Sequence, residues 1–371
     1  MTTEGNHIAV DLHIRQVRAR ATDVAPDRPT ETAAGTMTST PLVLIDILTD
    51  DPDVTGRSYL RCYTPTALQP LTHLVTNLGS LVEGGPAAPA AVDTILRTHL
   101  RLLGTEGLAG HALAGIDMAL WDVLAQACRV PLTVLLGGQL RPIPAYASLP
   151  TMAPAGAATE AEQAVTGGFT AVKVKLGRGD LNADLATIRA VRRAVGDSVA
   201  IMVDYNQSLS VPEAVNRIRV LDDLGLYWIE EPTRADDDSG HARIAATART
   251  PIQLGENWAG PREMARGLTA ATSDYGTLDA MKIGGVTGWL RAAALADTAA
   301  IPVSSHTFGE LSAHLLAVTP TAHWLEYLDH AGSLLTEPLR IHNGHAIASS
   351  RPGNGLRWDE DRISHLLADF S

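Results

Sequence analysis

The sequence is poor in cysteine, in clusters of basic residues and in long apolar runs. Only two cysteines, Cys62 and Cys128, occur among 371 residues, which excludes a disulfide framework and favours a reducing, cytoplasmic setting. Lys and Arg are scattered and the net charge is −12, so we expect no nucleic-acid partner. No segment approaches the about 18 apolar residues of a membrane helix, and a negative chain gains nothing from an anionic membrane surface. The start, Met1 to Asp11, also lacks the basic and apolar regions of a secretory signal.

The length and apolar content are those of a large folded protein. With 371 residues, of which 45% are hydrophobic, the chain can form two domains or one barrel with an appendage. From about residue 141, short β-rich segments alternate with longer amphipathic ones. In Leu181–Val195, for example, apolar residues recur at the three- and four-residue spacing of one helical face.

Regularly spaced strands are predicted in the region 141–340. They are Ile143–Ser148, Ala171–Leu176, Val199–Asp204, Tyr227–Glu231, Ile252–Glu256, Leu278–Ile283, Pro302–Ser305 and Trp324–Leu328. Strands that alternate with helices indicate βαβ units and a parallel sheet. Eight of them favour a closed α/β barrel over an open sheet.

The first 140 residues differ from this pattern. Strands are predicted at Ile8–Ala19 and Pro41–Leu48, and helices include Ala112–Cys128. We therefore expect an α+β domain at 1–140 that precedes the barrel. The short remaining segment, 341–371, is expected to return to that first domain.

Ionisable and polar side chains lie at or just past the predicted strand ends. In strand order they are Lys173, Lys175, Asp204, Asn206, Glu230, Glu231, Glu256, Asp279, His306 and Glu326. The spacing from Asp204 to Glu230, and again from Glu230 to Glu256, is 26 residues, about one strand–helix unit. The carboxyl ends of barrel strands meet in one mouth, where barrel enzymes have their active sites. We therefore expect these side chains to lie together.

Three of these residues, Asp204, Glu230 and Glu256, form a candidate metal site. Three close carboxylates repel one another unless a cation neutralises them. Ligation by oxygen alone, completed by water or substrate, suits Mg²⁺ better than Zn²⁺. Any single carboxylate could instead cap a helix or pair with a lysine, but three in register favour the metal.

Other residues of the set suggest acid–base chemistry. Lys173 and Lys175 share one side of a strand, where burial beside a cation favours a neutral amine that can act as a base; a solvated pair is the alternative. Asp279 could fix the tautomer of His306, although a lone histidine often bonds a backbone carbonyl instead. Glu326, among other acids, could stay protonated and donate a hydrogen bond to an oxyanion, or form a structural ion pair.

At these residues the sequence resembles the enolase superfamily, specifically the mandelate racemase family. The matching blocks are Val172-Lys173-Val174-Lys175, Ile201-Met202-Val203-Asp204-Tyr205-Asn206-Gln207-Ser208, Trp228-Ile229-Glu230-Glu231-Pro232-Thr233, Gly255-Glu256-Asn257-Trp258, Asp279 through Trp289, Ser304-Ser305-His306 and Leu311 to Glu326. The resemblance extends from about residue 40 to the C-terminus.

The resemblance implies a modified (β/α)₇β TIM-type barrel with an N-terminal α+β capping domain, in a homo-octamer. The capping domain would carry a lid at about 23–39. In the resemblance, Asp204, Glu230 and Glu256 would bind Mg²⁺, and Lys173 would neutralise the substrate carboxylate. Lys175 and His306 would be opposed bases, with His306 oriented by Asp279. Glu326 would donate to the enolate oxygen, and Ser148 and Asn206 would line the site.

The implied reaction is removal of the α-proton of a small carboxylate substrate. Bases on both faces would racemise a 2-hydroxy acid, because one removes the proton and the other returns it. If the substrate has a β-leaving group, the same intermediate would expel it, which is dehydration of an acid sugar or hydroxy acid. A non-catalytic binding protein is the third reading, which the intact set of ligands and bases disfavours.

The sequence departs from the mandelate racemases where the substrate is selected. The predicted lid Asp23–Ser39 contains the polar residues Asp27, Arg28, Thr30, Glu31 and Thr32. Arg61, in Arg61-Cys62-Tyr63-Thr64-Pro65, stands where an aromatic residue is expected, and Thr307 replaces an apolar one. We therefore expect a more polar or anionic distal group than phenyl, with Arg61 and Tyr63 as candidate substrate contacts.

Overall fold

The computed structural model of the protein describes residues 11–26 and 28–368. Its N-terminal part combines an antiparallel sheet with helices. The elements are β1 (Ile14–Val24), β2 (Thr30–Thr32), β3 (Gly35–Met37), β4 (Thr40–Thr49), β5 (Thr55–Arg61), α1 (Leu68–Ser80), α2 (Pro89–His99), α3 (Leu108–Ala127) and α4 (Leu132–Leu135). The predicted strand Ile8–Ala19 corresponds to β1, and its residues 8–10 lie outside the described range.

The sheet has the order β1–β4–β5 and packs against α3. Close packing is possible because position 115 is a glycine, and a Cβ there would overlap with Ile45 Cδ1. By length and hydropathy α3 could span a membrane, yet most of it is buried within the protein. It is therefore a core helix.

The second part alternates strands and helices. The elements are β6 (Ile143–Ser148), α5 (Pro154–Thr166), β7 (Ala171–Lys175), α6 (Leu181–Val195), β8 (Ala200–Asp204), α7 (Val211–Leu221), β9 (Ile229–Glu230), α8 (Asp238–Ala245), β10 (Ile252–Leu254), α9 (Pro261–Thr269), β11 (Tyr275–Asp279), α10 (Gly285–Ala299), β12 (Val303–His306), α11 (Gly309–Ala317) and β13 (Leu325–Tyr327).

These parallel strands close into a barrel. Pairing runs in sequence from β6 to β12, and β13 returns to pair with β6, Leu325 opposite Ala145. The Ser305 amide donates to the Trp324 carbonyl at 2.9 Å, which joins β12 to the chain entering β13. The predicted (β/α)₇β barrel with an N-terminal α+β domain is confirmed.

The sixth barrel strand lies earlier than the predicted Leu278–Ile283. It is Tyr275–Asp279, because the Asp279 carboxylate accepts hydrogen bonds from the amides of Met281 and Lys282 and ends the strand in a turn. The apolar residues after Asp279 made the segment look like a continuing strand. Its exact end matters because it places Asp279 at the mouth.

The C-terminal segment lies against both parts of the chain. Its elements are β14 (Ile341–His342), β15 (His345–Ala346) and α12 (Glu360–Ser364). Ala346 pairs with Ile143 at the start of β6. The Trp358 indole donates to Asp46 at 2.8 Å, which ties the segment to the N-terminal sheet.

Candidate active site and metal centre

The three predicted metal ligands come together at the carboxyl ends of β8, β9 and β10. Asp204 lies opposite Glu230 in the β8–β9 register, and Glu256 follows β10 by two residues. One carboxylate oxygen from each lies within 4.8 Å of the others, and all three residues are buried. This is the close carboxylate cluster that the 26-residue spacing predicted.

The electrostatics of the cluster favour a cation. Burial raises the pKa of Glu230 to about 7 although the ammonium of Lys173 opposes the shift, so the cluster is strained when all carboxylates are ionised. The Trp228 indole also holds Glu230 Oε2 in place at 2.9 Å. Buried, hard oxygen ligands of this kind fit Mg²⁺.

Two buried polar atoms beside the cluster have no hydrogen-bond partner among the described residues. They are Ser148 Oγ, at the end of β6, and Asn206 Oδ1. The Asn206 amide group is held by Asp204, to which its Nδ2 donates at 2.9 Å. A buried polar atom without a partner is costly, so these atoms suit an oxygen-bearing ligand in the mouth.

Both lysines of β7 point into the barrel. Lys173 is 1% exposed, and its Nζ contacts Glu230 Oε1 at 2.7 Å and Glu326 Oε1 at 2.9 Å. The Lys175 ammonium lies further out, with its Nζ 3.7 Å from Asp204 Oδ2. The solvated-pair alternative is therefore wrong for both.

Asp279 and His306 form a buried dyad. Asp279 Oδ2 lies 2.7 Å from His306 Nδ1, which leaves Nε2 directed at the cluster, 3.4 Å from Glu256 Oε2. Burial alone would lower the pKa of His306, but the carboxylates of Glu256 and Glu326 raise it above its ordinary value. The alternative of a histidine bonded only to a backbone carbonyl is wrong.

Glu326 differs from its expected protonation. Burial alone would raise its pKa, but the cations Lys173 and His306 lower it well below its ordinary value, so the group is a carboxylate here. Neighbouring acids alone would favour protonation, but the contact with the buried ammonium of Lys173 outweighs them. The Thr307 amide fixes the carboxylate by donating to Oε2 at 3.1 Å.

Arg61 and Tyr63 connect the capping domain to the dyad. The Tyr63 hydroxyl donates to Asp279 Oδ2 at 3.3 Å, and the Arg61 guanidinium lies 4.5 Å from the centre of the Tyr63 ring. Tyr63 has a φ of 56°, a left-handed conformation that is unusual for an aromatic residue and that clusters at functional sites. Both residues thus border the mouth.

A polar chain leads from Glu231 to Tyr63 through Asn257 and Lys282, two residues that the sequence pattern does not indicate. Glu231 accepts from Asn257 Nδ2 at 2.7 Å, Asn257 accepts from the Lys282 ammonium at 2.7 Å, and that ammonium lies 4.5 Å from the Tyr63 ring centre. The only signal was adjacency. Glu231 and Asn257 directly follow predicted metal ligands, and Lys282 is three residues after Asp279.

The hairpin β2–β3, which lies within the predicted lid, is docked on the barrel. Glu31 accepts from the Met152 amide at 2.7 Å, while the Arg178 guanidinium donates to the carbonyls of Thr32 and Gly35 at 2.9 and 3.0 Å. A cavity of about 340 Å³ lies between these elements and reaches Lys175. Of the predicted lid, Asp27 lies outside the described residues.

Family models match most of the chain. Residues 15–137 match the mandelate racemase/muconate lactonizing enzyme N-terminal domain, and residues 156–362 match the enolase C-terminal domain-like model. Residues 138–155, which include β6, separate the two matches.

Known proteins with similar sequences and structures differ in activity. A solved enolase from Bradyrhizobium, complexed with magnesium and mandelic acid, is 45% identical with a TM-score of 0.93, covering 98% of this chain and 100% of that one. A 3,6-anhydro-alpha-L-galactonate cycloisomerase of Streptomyces coelicolor is 32% identical over 92% of this chain and 95% of its own length. An L-talarate/galactarate dehydratase of Salmonella typhimurium is 32% identical over 72% and 69%.

These matches identify the family and its general chemistry. Magnesium occupies the related structures, and the acidic triad here can hold it. The shared chemistry is Mg²⁺-dependent abstraction of a proton from a carboxylate substrate. The chain belongs to the mandelate racemase/muconate lactonizing enzyme family of the enolase superfamily.

Proposed function

We propose that this protein racemises a 2-hydroxy acid. The observation that carries the proposal is the presence of a candidate base on each side of the carboxylate cluster. Lys175 adjoins Asp204, which comes from β8, and His306 adjoins Glu256, which follows β10. Since β8 and β10 flank β9, an α-carbon held at the cluster would lie between the two bases.

One group of residues in the proposed site would hold the metal ion and the substrate, and a second group would transfer the α-proton. Asp204, Glu230 and Glu256 would hold Mg²⁺, which when bound stabilises the growing negative charge on the substrate carboxylate. Lys173 neutralises that carboxylate, the Ser148 hydroxyl can donate a hydrogen bond to it, and Asn206 Oδ1 can accept a hydrogen bond from the 2-hydroxyl group of the substrate. Fixed charges of this kind act without reorganisation at the moment of reaction.

The proton is taken on one face and returned on the other. In one direction Lys175 removes it and His306, charged and held by Asp279, returns it with inversion; in the other direction the roles reverse. A substrate carboxylate on Lys173 also cancels part of the charge that keeps Glu326 ionised. Glu326 can then carry a proton and donate it to the enolate oxygen.

Dehydration is the second candidate, and the polar surroundings of the mouth favour it. Arg61, Thr307 and the polar lid suit a polyhydroxylated substrate, and one relative is a dehydratase of acid sugars. In that case Lys175 would remove the α-proton, and the protonated His306 would donate its proton to the β-hydroxyl, which leaves as water. The same side chains therefore support either outcome.

Product analysis separates the two candidates. Single enantiomers of 2-hydroxy acids, including aryl acids and mono- and diacid sugars, are incubated with Mg²⁺-loaded enzyme. Loss of optical rotation with an unchanged carbon skeleton is the expected result. Formation of a 2-keto acid, detected with semicarbazide, would replace racemisation by dehydration, and the absence of both would refute the proposal.

We further propose a cytoplasmic homo-octamer, on the basis of the family resemblance and the scarcity of cysteine. Light scattering during size-exclusion chromatography measures the assembly. A monomer or dimer at working concentration would contradict it.

A further inference from the structure

Arg61 is a buried arginine whose guanidinium has no carboxylate partner among the described residues. It is 6% exposed, comparable to Arg217 at 7%. Arg217 is paired normally, with Asp184 Oδ2 at 2.6 Å and Glu213 Oε1 at 2.7 Å. Within residues 11–26 and 28–368, the polar contact of the Arg61 side chain is a weak one, from Nη2 to Met37 Sδ at 3.5 Å.

An unpaired buried guanidinium is unfavourable, because the desolvation of the charge is not compensated. The cation–π contact with the Tyr63 ring, at 4.5 Å from the ring centre, offsets part of this desolvation energy. A cation–π contact uses none of the N–H donors, so the guanidinium can still donate hydrogen bonds to an anion. The fork of these donors matches a carboxylate with two parallel hydrogen bonds.

The location of Arg61 points to the substrate as the missing anion. It ends β5 beside lid residue Met37, and its ring partner Tyr63 donates to Asp279 of the catalytic dyad. The guanidinium thus lies at the rim between the lid and the site of proton transfer. This is the distal end of any substrate whose reacting carboxylate lies on Lys173.

A second unpartnered group lies near the same point. His330, in the loop after β13, has a buried Nε2 with no partner among the described residues. Burial, and then the charge of Arg61, hold the pKa of His330 well below its ordinary value, so the ring is neutral and can donate one hydrogen bond. A neutral donor beside a fixed cation suits an anionic oxygen group rather than a phenyl ring.

We infer that Arg61 and His330 form a subsite for a distal carboxylate, so that the preferred substrate is a 2-hydroxy diacid. The inference rests on the proposed function, since it places the reacting 2-hydroxy carboxylate at Lys173 and the metal ligands. A phenyl group at this subsite would leave the guanidinium unpaired. Mandelate should therefore be a poor substrate for this chain.

The test compares acids that differ only in the distal carboxylate. Malate, 2-hydroxyglutarate and 2-hydroxyadipate are paired with 2-hydroxybutyrate, 2-hydroxyvalerate and 2-hydroxycaproate, and α-deuterium exchange in D₂O is followed by NMR with Mg²⁺-loaded protein. The best diacid should exceed its partner in kcat/KM by about 100-fold, the effect of a buried, hydrogen-bonded charge pair. The length of the diacid with the highest kcat/KM indicates the distance between the two carboxylate-binding sites.

Variants assign the preference to the subsite. In Arg61→Met the diacid/monoacid ratio should collapse toward one, whereas Arg61→Lys, which retains the charge without the fork, keeps part of it. Arg291→Met, on the exposed side of α10, is the matched control and keeps the full ratio. His330→Gln should reduce the ratio by a smaller factor.

A wild-type ratio near one, or a ratio that Arg61→Met leaves intact, would overturn the inference while exchange itself still supports the proposed function. If no acid exchanges, the proposed function fails instead. The subsite is then decided by calorimetry, because the Mg²⁺-loaded protein should still bind the diacid more tightly than its partner, and equal affinities would overturn it.

Discussion

Replacing Asp279 by Asn should disable one of the two proposed bases while leaving the fold intact. Asp279 is fully buried, and its Oδ1 accepts from the amides of Met281 and Lys282 at 2.9 and 3.0 Å. An asparagine carbonyl can accept the same bonds. What is lost is the negative charge 2.7 Å from His306 Nδ1, so the effect should fall on His306.

The magnitude follows from that hydrogen bond. A hydrogen bond to a charged group contributes about 1.5–3 kcal/mol, or about 10- to 150-fold in rate at 1.36 kcal/mol per tenfold. The asparagine amide would also donate to Nδ1 and leave the proton on Nε2, so the ring could no longer accept a proton there. Loss of tautomer control and of general base catalysis together predicts a decrease of about 10²–10⁴-fold.

The assay is α-deuterium exchange measured separately for each enantiomer. Exchange of the enantiomer served by His306 should fall by this factor, and exchange of the one served by Lys175 should persist. Asp117→Asn is the matched control, since it changes a buried carboxylate bonded to Thr287 outside the site. Equal losses for both enantiomers in Asp279→Asn would refute the assigned role.

Three further predictions concern the metal, stability and the lid. Chelation should abolish α-deuterium exchange. Mg²⁺ at 100 times its Kd should restore that exchange and add about 2.7 kcal/mol to the free energy of unfolding. Unchanged turnover after thorough chelation would contradict the metal site. Burial lowers the pKa of His314 to about 4, below the value of about 6.5 for an unfolded histidine. The neutral ring therefore stabilises the folded protein fully above pH 6.5. About 3 kcal/mol of the free energy of unfolding is lost as the pH falls to 4. His314→Gln, which can still accept from the Thr133 amide, should flatten that part of the urea-unfolding profile, and an unaltered profile would exclude His314 as its source. Arg178→Met removes the hydrogen bonds to the carbonyls of the predicted lid. It should raise KM about fivefold and speed amide hydrogen exchange in residues 30–37. Unchanged exchange there would show that Arg178 does not hold the hairpin in place.

The barrel and its carboxylate cluster were predictable from the sequence because both depend on periodicity. Each strand–helix unit returns the chain to the same end of the barrel, so Asp204, Glu230 and Glu256 meet regardless of the details of packing. The amphipathic helices were visible for the same reason, and Leu181–Val195 was predicted to the residue.

Features set by contacts between distant segments were not predictable in this way. The end of β11 depends on a turn made by the Asp279 carboxylate, which apolar patterning does not report. The ionisation of Glu326 depends on a contact with Lys173, 153 residues away in sequence. Arg61 lacks a carboxylate partner among the described residues, which only their three-dimensional positions reveal.

The most direct test of the account is a comparison of Lys175→Ala with His306→Asn in enantiomer-resolved deuterium exchange. Both variants should lose racemisation, because inversion needs a base on each face of the substrate. Each should still exchange the α-proton of one enantiomer, and the enantiomer should be opposite in the two variants. Loss of the same enantiomer in both, or racemisation by either variant alone, would contradict two opposed bases.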